Sequence, residues 1–115
     1  MPQGADEPLV DLLCRELLDI GTGDDWITFR EVVKLVSYHV ESDVSRDLDG
    51  TVESVLRRVV SEGTATLGDD DGHGFRPWPE SSDEAVARAM VSWRSIRQSR
   101  EIMPGDVCWL RFDVS

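Results

Sequence analysis

The sequence predicts an α+β fold, because three kinds of pattern occur in separate stretches of the chain. Apolar residues recur at helical spacing in four segments, which indicates four amphipathic helices. Glycines and aspartates between two short apolar runs, within residues 64–78, predict a β-hairpin. Strict alternation in VCWLRFDV, residues 107–114, predicts a further strand. With 115 residues, 40% of them hydrophobic, residues 1–115 are expected to form a single domain.

The first helix is predicted to span about residues 6 to 20. Asp6 can cap its start, and Pro8 fits into its first turn. Gly21 is expected to end this helix and to open a loop, GTGDD. Its buried stripe is predicted to consist of Leu9, Val10, Leu13, Cys14 and Leu17.

A very short strand at Trp26 and Ile27 is predicted before the second helix, which should run from 28 to about 40. Thr28 and Glu31 have the spacing of a capping box, in which each side chain accepts a hydrogen bond from the other residue's backbone. The buried stripe of this helix is predicted to be Phe29, Val32, Val33, Val36 and Val40.

The third helix is predicted over about residues 50 to 62, after a polar loop at 41–49 with room for a helical turn near Val44. The stretch DLDGT before it also occurs in the nucleophile motif of haloacid dehalogenase-like phosphatases, where it follows a buried apolar strand. Polar ESDVSR precedes Asp47 here, so no phosphoaspartyl enzyme is expected. Asp49 is interpreted instead as the helix cap. The apolar stripe is Val52, Val55, Leu56, Val59 and Val60.

The hairpin is predicted to pair residues 64–67 with 75–78 around a turn at 68–74, and Pro77 indicates an open edge.

The fourth helix is expected to begin at a Ser81 or Ser82 cap. Its apolar positions are Val86, Ala89, Met90, Trp93, Ile96 and the stem of Arg97. After a turn at MPGD, one face of the last strand should carry Cys108, Leu110, Phe112 and Val114. The opposite face should carry Val107, Trp109, Arg111 and Asp113.

The order helix, short strand, helix, helix and hairpin resembles the winged helix-turn-helix superfamily. The resemblance covers residues 6–78 and implies a winged-helix-like core, with the helix and strand of residues 81–115 as an extension. It further implies that helix 3 is a recognition helix and that residues 69–73 form the tip of a wing. A DNA-binding transcriptional regulator that uses these two elements is therefore one candidate function.

The charge of the chain argues against DNA as the partner. There are 23 acidic and 12 basic residues, a net charge of −11, which repels a polyanion at long range. The predicted wing tip contains Asp69, Asp70 and Asp71, where DNA-binding wings present cations to phosphates. The preferred prediction is a non-enzymatic module with a regulatory or accessory role, which binds a protein or a second copy of itself. A further alternative is a small immunity or antitoxin-like protein whose acidity neutralises a basic target.

Six residues are candidates for contact with a partner. Arg57 and Arg58 lie on the polar face of helix 3, where they would approach DNA if DNA were bound. The arginines at 94, 97 and 100 form a stripe near the end of helix 4. Three interpretations are open: the arginines interact with the negative end of the helix dipole, pair with the protein's own acids, or bind an acidic partner. Trp93 suits an interface centre and a core equally well. The full set is Arg57, Arg58, Trp93, Arg94, Arg97 and Arg100.

The sequence gives little support for metal-binding, catalytic or membrane-associated functions. DDDGHGFRPWPE resembles a calcium loop only superficially, because histidine replaces an oxygen ligand, so no metal or other cofactor is predicted. Cys14 and Cys108 are expected to be reduced and to pack as small apolar residues. No catalytic motif or small-molecule substrate is evident. Without an apolar run of 18 residues or a secretory signal, no membrane contact and a cytoplasmic location are expected.

Overall fold

The computed structural model describes residues 7–23, 26–40, 47–103 and 105–112, and the predicted α+β class is confirmed there. The helices are α1 (Glu7–Gly23), α2 (Phe29–Val40), α3 (Leu48–Ser61) and α4 (Ser82–Arg97). The strands are β1 (Trp26–Thr28), β2 (Ala65–Asp70), β3 (Phe75–Pro77) and β4 (Trp109–Phe112). Several predicted features lie outside the described residues, namely the Asp6 cap, the helical turn near Val44, the proline of MPGD, Asp113 and Val114.

The four strands form one antiparallel sheet in the order β1-β4-β2-β3. The predicted hairpin is confirmed, since β2 and β3 follow α3 directly and pair with Gly68 opposite Pro77. The turn predicted at 68–74 is shorter than expected, because β2 continues to Asp70 and only residues 71–74 connect the strands. Pro77 lies on the edge strand, where its missing N–H leaves no gap in the ladder. The last strand begins later than predicted, at Trp109 instead of Val107, and β4 lies between β1 and β2. Leu110 is the partner of both Ile27 and Leu67, so β4 joins two strands that do not pair with each other.

The helices pack on one face of this sheet and form the core with it. Ile27, Ala65, Leu67 and Leu110 point from the sheet into that core and are at most 3% exposed. The predicted helical stripes are confirmed, because each supplies residues to the same cluster. The most buried large side chains in the described residues include Phe29, Leu13, Leu17, Leu56 and Met90. None of the described helices is long and apolar enough to cross a membrane.

The capping box predicted at Thr28 and Glu31 is only half formed, whereas the cap predicted at the start of α4 forms completely. The Thr28 hydroxyl accepts from the Glu31 amide at 3.2 Å, so β1 passes directly into α2. Ser81 and Glu84 form a complete capping box at the start of α4. The Ser81 hydroxyl accepts from the Glu84 amide, and the Glu84 carboxylate accepts from the Ser81 amide.

The end predicted for α1 is wrong, because the helix continues through Gly21 to Gly23. Gly21 is buried, and a Cβ at this position would overlap the ring of Phe112 in β4. The glycine therefore allows the α1 backbone to approach the sheet closely. Its signal in the sequence was that of a helix terminator, but its role is in packing.

The start and cap predicted for α3 also need correction. The helix begins at Leu48, and the N-cap is Asp47, whose side chain makes no capping hydrogen bond. The Asp47 carbonyl instead accepts from the amide of Thr51 at 2.9 Å and from its hydroxyl at 2.7 Å. Asp49 lies within the first turn and is not a cap, because its carboxylate binds arginines of α4.

Candidate functional site

Helix α4 packs along one side of the polar face of α3. Asp49, near the start of α3, accepts hydrogen bonds from Arg94 at 3.2 Å and from Arg97, both near the end of α4. At the other end, Arg57 donates to Asp83 at 2.7 Å. The two helices are therefore antiparallel and matched in charge. We call the row of charged residues between them the α3–α4 seam; it consists of Asp49, Glu53, Arg57, Asp83, Arg94 and Arg97.

Glu53 connects the two ends of the seam. It accepts from Arg57 at 2.7 Å within α3 and lies 3.6 Å from Arg94 of α4. The hydrogen bond with Glu53 is the main cause of the raised pKa of Arg57. Because the side chains of the seam are partly exposed, each pair contributes only about 0–1 kcal/mol to stability.

Apolar contacts, more than these ion pairs, hold α4 in place. Val86, Ala89, Met90 and Trp93 are all at most 2% exposed. Detaching α4 to uncover α3 would expose this whole stripe, at about 1.5–3 kcal/mol for each large side chain. Helix α4 therefore covers one side of α3 in the folded protein, while the side toward α1, with Ser54, Arg57 and Arg58, borders an open groove.

The remaining candidate residues also have partners within the chain. Arg58 donates to Asp11 of α1, and Arg100 donates to Asp106 at 2.6 Å in the loop before β4. The Arg100 hydrogen bond is the main cause of the lowered pKa of Asp106. Trp93 is only 2% exposed and packs against Phe29, with 5.7 Å between ring centroids. The structure thus places the five predicted arginines in ion pairs and the tryptophan in the core.

The acidic tip of the hairpin is a self-contained turn. The Asp69 carboxylate accepts from the indole of Trp78 at 2.9 Å, and that of Asp70 accepts from the Gly72 amide. Asp71 accepts from the His73 amide at 2.9 Å and from Arg76 at 2.7 Å. The first and then the second of these bonds lower the pKa of Asp71. The three carboxylates stabilise the turn and present anionic groups there.

The second face of the sheet carries aromatic residues. Because paired residues share a face, Trp26 and Arg111 lie on one side with Thr66, and Trp109 lies there with Gly68. Phe75 joins them from β3, and its ring lies over Gly68. A Cβ at Gly68 would overlap this ring and the Arg76 carbonyl oxygen, so only glycine fits.

These aromatic side chains form a connected cluster. The Trp26 ring centroid lies 5.7 Å from that of Phe75 and 5.9 Å from that of Trp109, which it meets nearly edge to face. The Arg111 guanidinium lies 4.8 Å from the centroid of Phe75. All four side chains are half-buried. We call Trp26, Phe75, Trp109 and Arg111 the aromatic face.

Sequence reasoning found only part of this cluster. The alternation in the last strand placed Trp109 and Arg111 together, opposite Leu110. Trp26 and Phe75 belong to strands that are distant in the chain, and only the pairing register brings them to the same face. Apolar patterning alone cannot supply that register.

Two other features could carry chemistry. A groove of about 370 Å³ between α1 and α3 is bordered by Cys14, Arg15, Arg58 and Glu62. Both cysteines are free thiols, and burial raises the pKa of Cys108 far above its ordinary value, which makes it a poor nucleophile. Within the described ranges, no three His, Cys, Asp or Glu residues are grouped so that they could hold a metal ion.

The chain matches no protein-family model, no curated protein and no solved structure.

Proposed function

We propose that this protein is a non-enzymatic module of winged-helix type that acts by binding another protein, in a regulatory or accessory role. The order of its first six elements, with a hairpin directly after α3, supports the winged-helix part of the proposal. The central position of β4 and the packing of α4 on α3 are elaborations of that plan.

The single observation that carries the proposal is that the arginines of α3 are already paired with acids of the same chain. A recognition helix needs an accessible face with free cations to reach a groove lined by phosphates. Here α4 lies along that helix, and Arg57 and Arg58 are bound to Asp83 and Asp11. Freeing either arginine for a phosphate would break its ion pair and leave Asp83 or Asp11 as a nearby negative charge that repels the phosphate.

The aromatic face supplies the positive argument for a protein partner. Tryptophan, phenylalanine and arginine are enriched at the centres of protein interfaces, and here they lie together on one half-buried surface. The anionic hairpin tip beside it disfavours phosphate groups and tolerates a protein surface. The thiol of Cys108 is buried and His39 binds Glu16, so two residues able to act in catalysis are engaged in structural contacts.

The first test of this proposal is binding to random duplex DNA at near-physiological ionic strength, read by gel shift and fluorescence anisotropy. We expect no salt-dependent complex at micromolar protein. A complex that Arg57→Glu with Arg58→Glu abolishes would establish the DNA-binding alternative and overturn the proposal.

The second test is affinity capture from nuclease-treated lysate of the source cells, followed by reconstitution with the purified captured protein. We expect a partner that binds directly and with fixed stoichiometry after nuclease treatment. Capture that disappears with nuclease would indicate bridging by nucleic acid and would contradict a protein partner.

A further inference from the structure

We propose that the aromatic face binds a basic segment of the partner protein, with an arginine or lysine of that segment stacked on Trp26 or Trp109. This inference rests on the protein-binding function proposed above, and it assigns that function a surface and a partner chemistry.

The first step is that the described helices lie on the opposite side of the sheet. Ile27 and Leu110 are almost fully buried beneath the helices, whereas their sequence neighbours Trp26 and Trp109 remain half-buried. Gly21 of α1 contacts Phe112, which shares the face of Leu110. Two tryptophans therefore present ring surface on the side away from the helical layer.

The second step is that the protein covers other aromatic rings with its own arginines. The guanidinium of Arg88 lies 3.8 Å from the centroid of Trp78, and that of Arg97 lies 4.6 Å from Trp93. Arg111 covers Phe75 in the same way. Cation–π contact of this kind is strongest with tryptophan. Trp26 and Trp109 offer the same ring chemistry to a cation supplied by another chain.

The third step is electrostatic. The net charge is −11, and seven arginines of the described residues are already bound to the protein's own acids. The surplus negative field attracts a basic segment and accelerates its association. The same field repels a second copy of the chain. It also repels a single-stranded nucleic acid, which could otherwise stack its bases on these rings.

The experiment uses the four indole N–H signals of the protein, from Trp26, Trp78, Trp93 and Trp109, as separate reporters in proton–nitrogen NMR spectra. The probe is a peptide of six arginine–glycine repeats, and the control is the matched peptide of six glutamate–glycine repeats. We expect the arginine peptide to shift the signals of Trp26 and Trp109 and to leave those of Trp78 and Trp93 in place. The glutamate peptide should shift none of the four.

Two variants that add the same positive charge separate local from global electrostatics. Thr66→Arg places a cation opposite Arg111 on the aromatic face, whereas Val91→Arg places one on α4 at a side chain that is 66% exposed. We expect Thr66→Arg to weaken binding of the arginine peptide on the order of tenfold. Val91→Arg should change it by less than about twofold, because distant exposed charges are screened. Thermal melts establish that both variants fold.

Three outcomes overturn the inference. The first is a shift confined to signals outside Trp26 and Trp109, which places binding elsewhere but leaves a protein-binding function intact. The second is tighter binding of a twelve-residue oligothymidylate at the same two signals, which assigns the face to single-stranded nucleic acid. The third is the absence of any shift with millimolar arginine peptide. The duplex DNA test above fails or succeeds independently of all three.

Discussion

The α3–α4 seam and the aromatic face both combine arginines with tryptophans in or beneath them, but they use these residues differently. In the seam, arginines bind carboxylates of the same chain, and Trp93 beneath them is buried against Phe29. On the aromatic face, Trp26 and Trp109 meet edge to face and keep part of their surface exposed. A row of arginines on a helix is therefore a poor indicator of a binding site when acids of a neighbouring helix match its spacing.

This difference also separates stability from recognition. The seam lies over a stripe that is nearly inaccessible to solvent, so substitutions beneath it should mainly change the free energy of unfolding. Substitutions on the aromatic face remove side chains that are less buried, so they should mainly change binding. Four predictions test the stability side of that separation.

The largest expected effect compares Trp93→Ala with Trp109→Ala. Trp93 is 2% exposed, so its truncation should destabilise the fold by about 3–5 kcal/mol. Trp109 is half-buried, and its truncation should cost about 1–2 kcal/mol. Urea denaturation followed by circular dichroism measures both values. A cost for Trp109→Ala equal to that for Trp93→Ala would show that the aromatic face is part of the core.

The next effect compares Gly68 in β2 with Gly21 in α1, whose close contacts lie on opposite sides of the sheet. Gly68→Ala should cost about 2–3 kcal/mol, because the new methyl group overlaps a backbone oxygen of Arg76. Gly21→Ala should cost less, about 1–2 kcal/mol, because the methyl group overlaps the base of the Phe112 ring but alanine favours the helix. Thermal denaturation of both variants measures the difference. Phe112→Leu should reduce the cost of Gly21→Ala, and a cost that stays unchanged would argue against contact with that ring.

A smaller effect separates Asp47 from Asp49 at the start of α3. Asp49→Ala should cost about 0.5–1 kcal/mol and less at high salt, because it removes exposed ion pairs with Arg94 and Arg97. Asp47→Ala should cost only a few tenths, because its side chain makes no capping bond. A double-mutant cycle between Asp49 and Arg97 measures their coupling directly. A larger cost for Asp47→Ala than for Asp49→Ala would show that Asp47 caps α3.

The smallest effect concerns the pKa of Asp71 at the hairpin tip. That pKa lies below the ordinary value of 3.8, so the carboxylate stabilises the fold above that pH and its contribution disappears as the pH falls through the lowered pKa. Arg76→Gln should raise the pKa of Asp71 only part of the way, because the larger cause is the His73 amide. Carbon-13 NMR of the carboxyl groups follows the titration, and Asp106, paired with Arg100, serves as the unaffected control.

The parts of the fold that local patterns determine were predictable. The stripe of α2, from Phe29 to Val40, follows from apolar spacing, and its cap follows from Thr28 and Glu31. The hairpin was predicted from its glycines and aspartates, because these residue types favour turn conformations. In each case, the residues that specify the element lie within it.

The features that were missed depend on contacts between elements. Gly21 has the signature of a helix end, but the Phe112 ring determines what fits there. Asp49 has the signature of a cap, but arginines on α4 bind its carboxylate. Pairing of the arginine stripe with the protein's own acids was among the interpretations of the sequence, but only the structure identifies Asp49 and Glu53 as partners. The aromatic face required the register of three strand pairs.

The central position of β4 has a consequence for biosynthesis. Trp26 pairs with Arg111, at nearly the other end of the sequence, while the helices and the hairpin depend on nearby residues. On the ribosome, β1 and β2 must remain without their shared neighbour until residues 109–112 have been made. Closing such a distant pairing is slow compared with forming helices and hairpins. The nascent chain would therefore carry unpaired strand edges that chaperones recognise, and assembly of the sheet should be the final, committing step of folding.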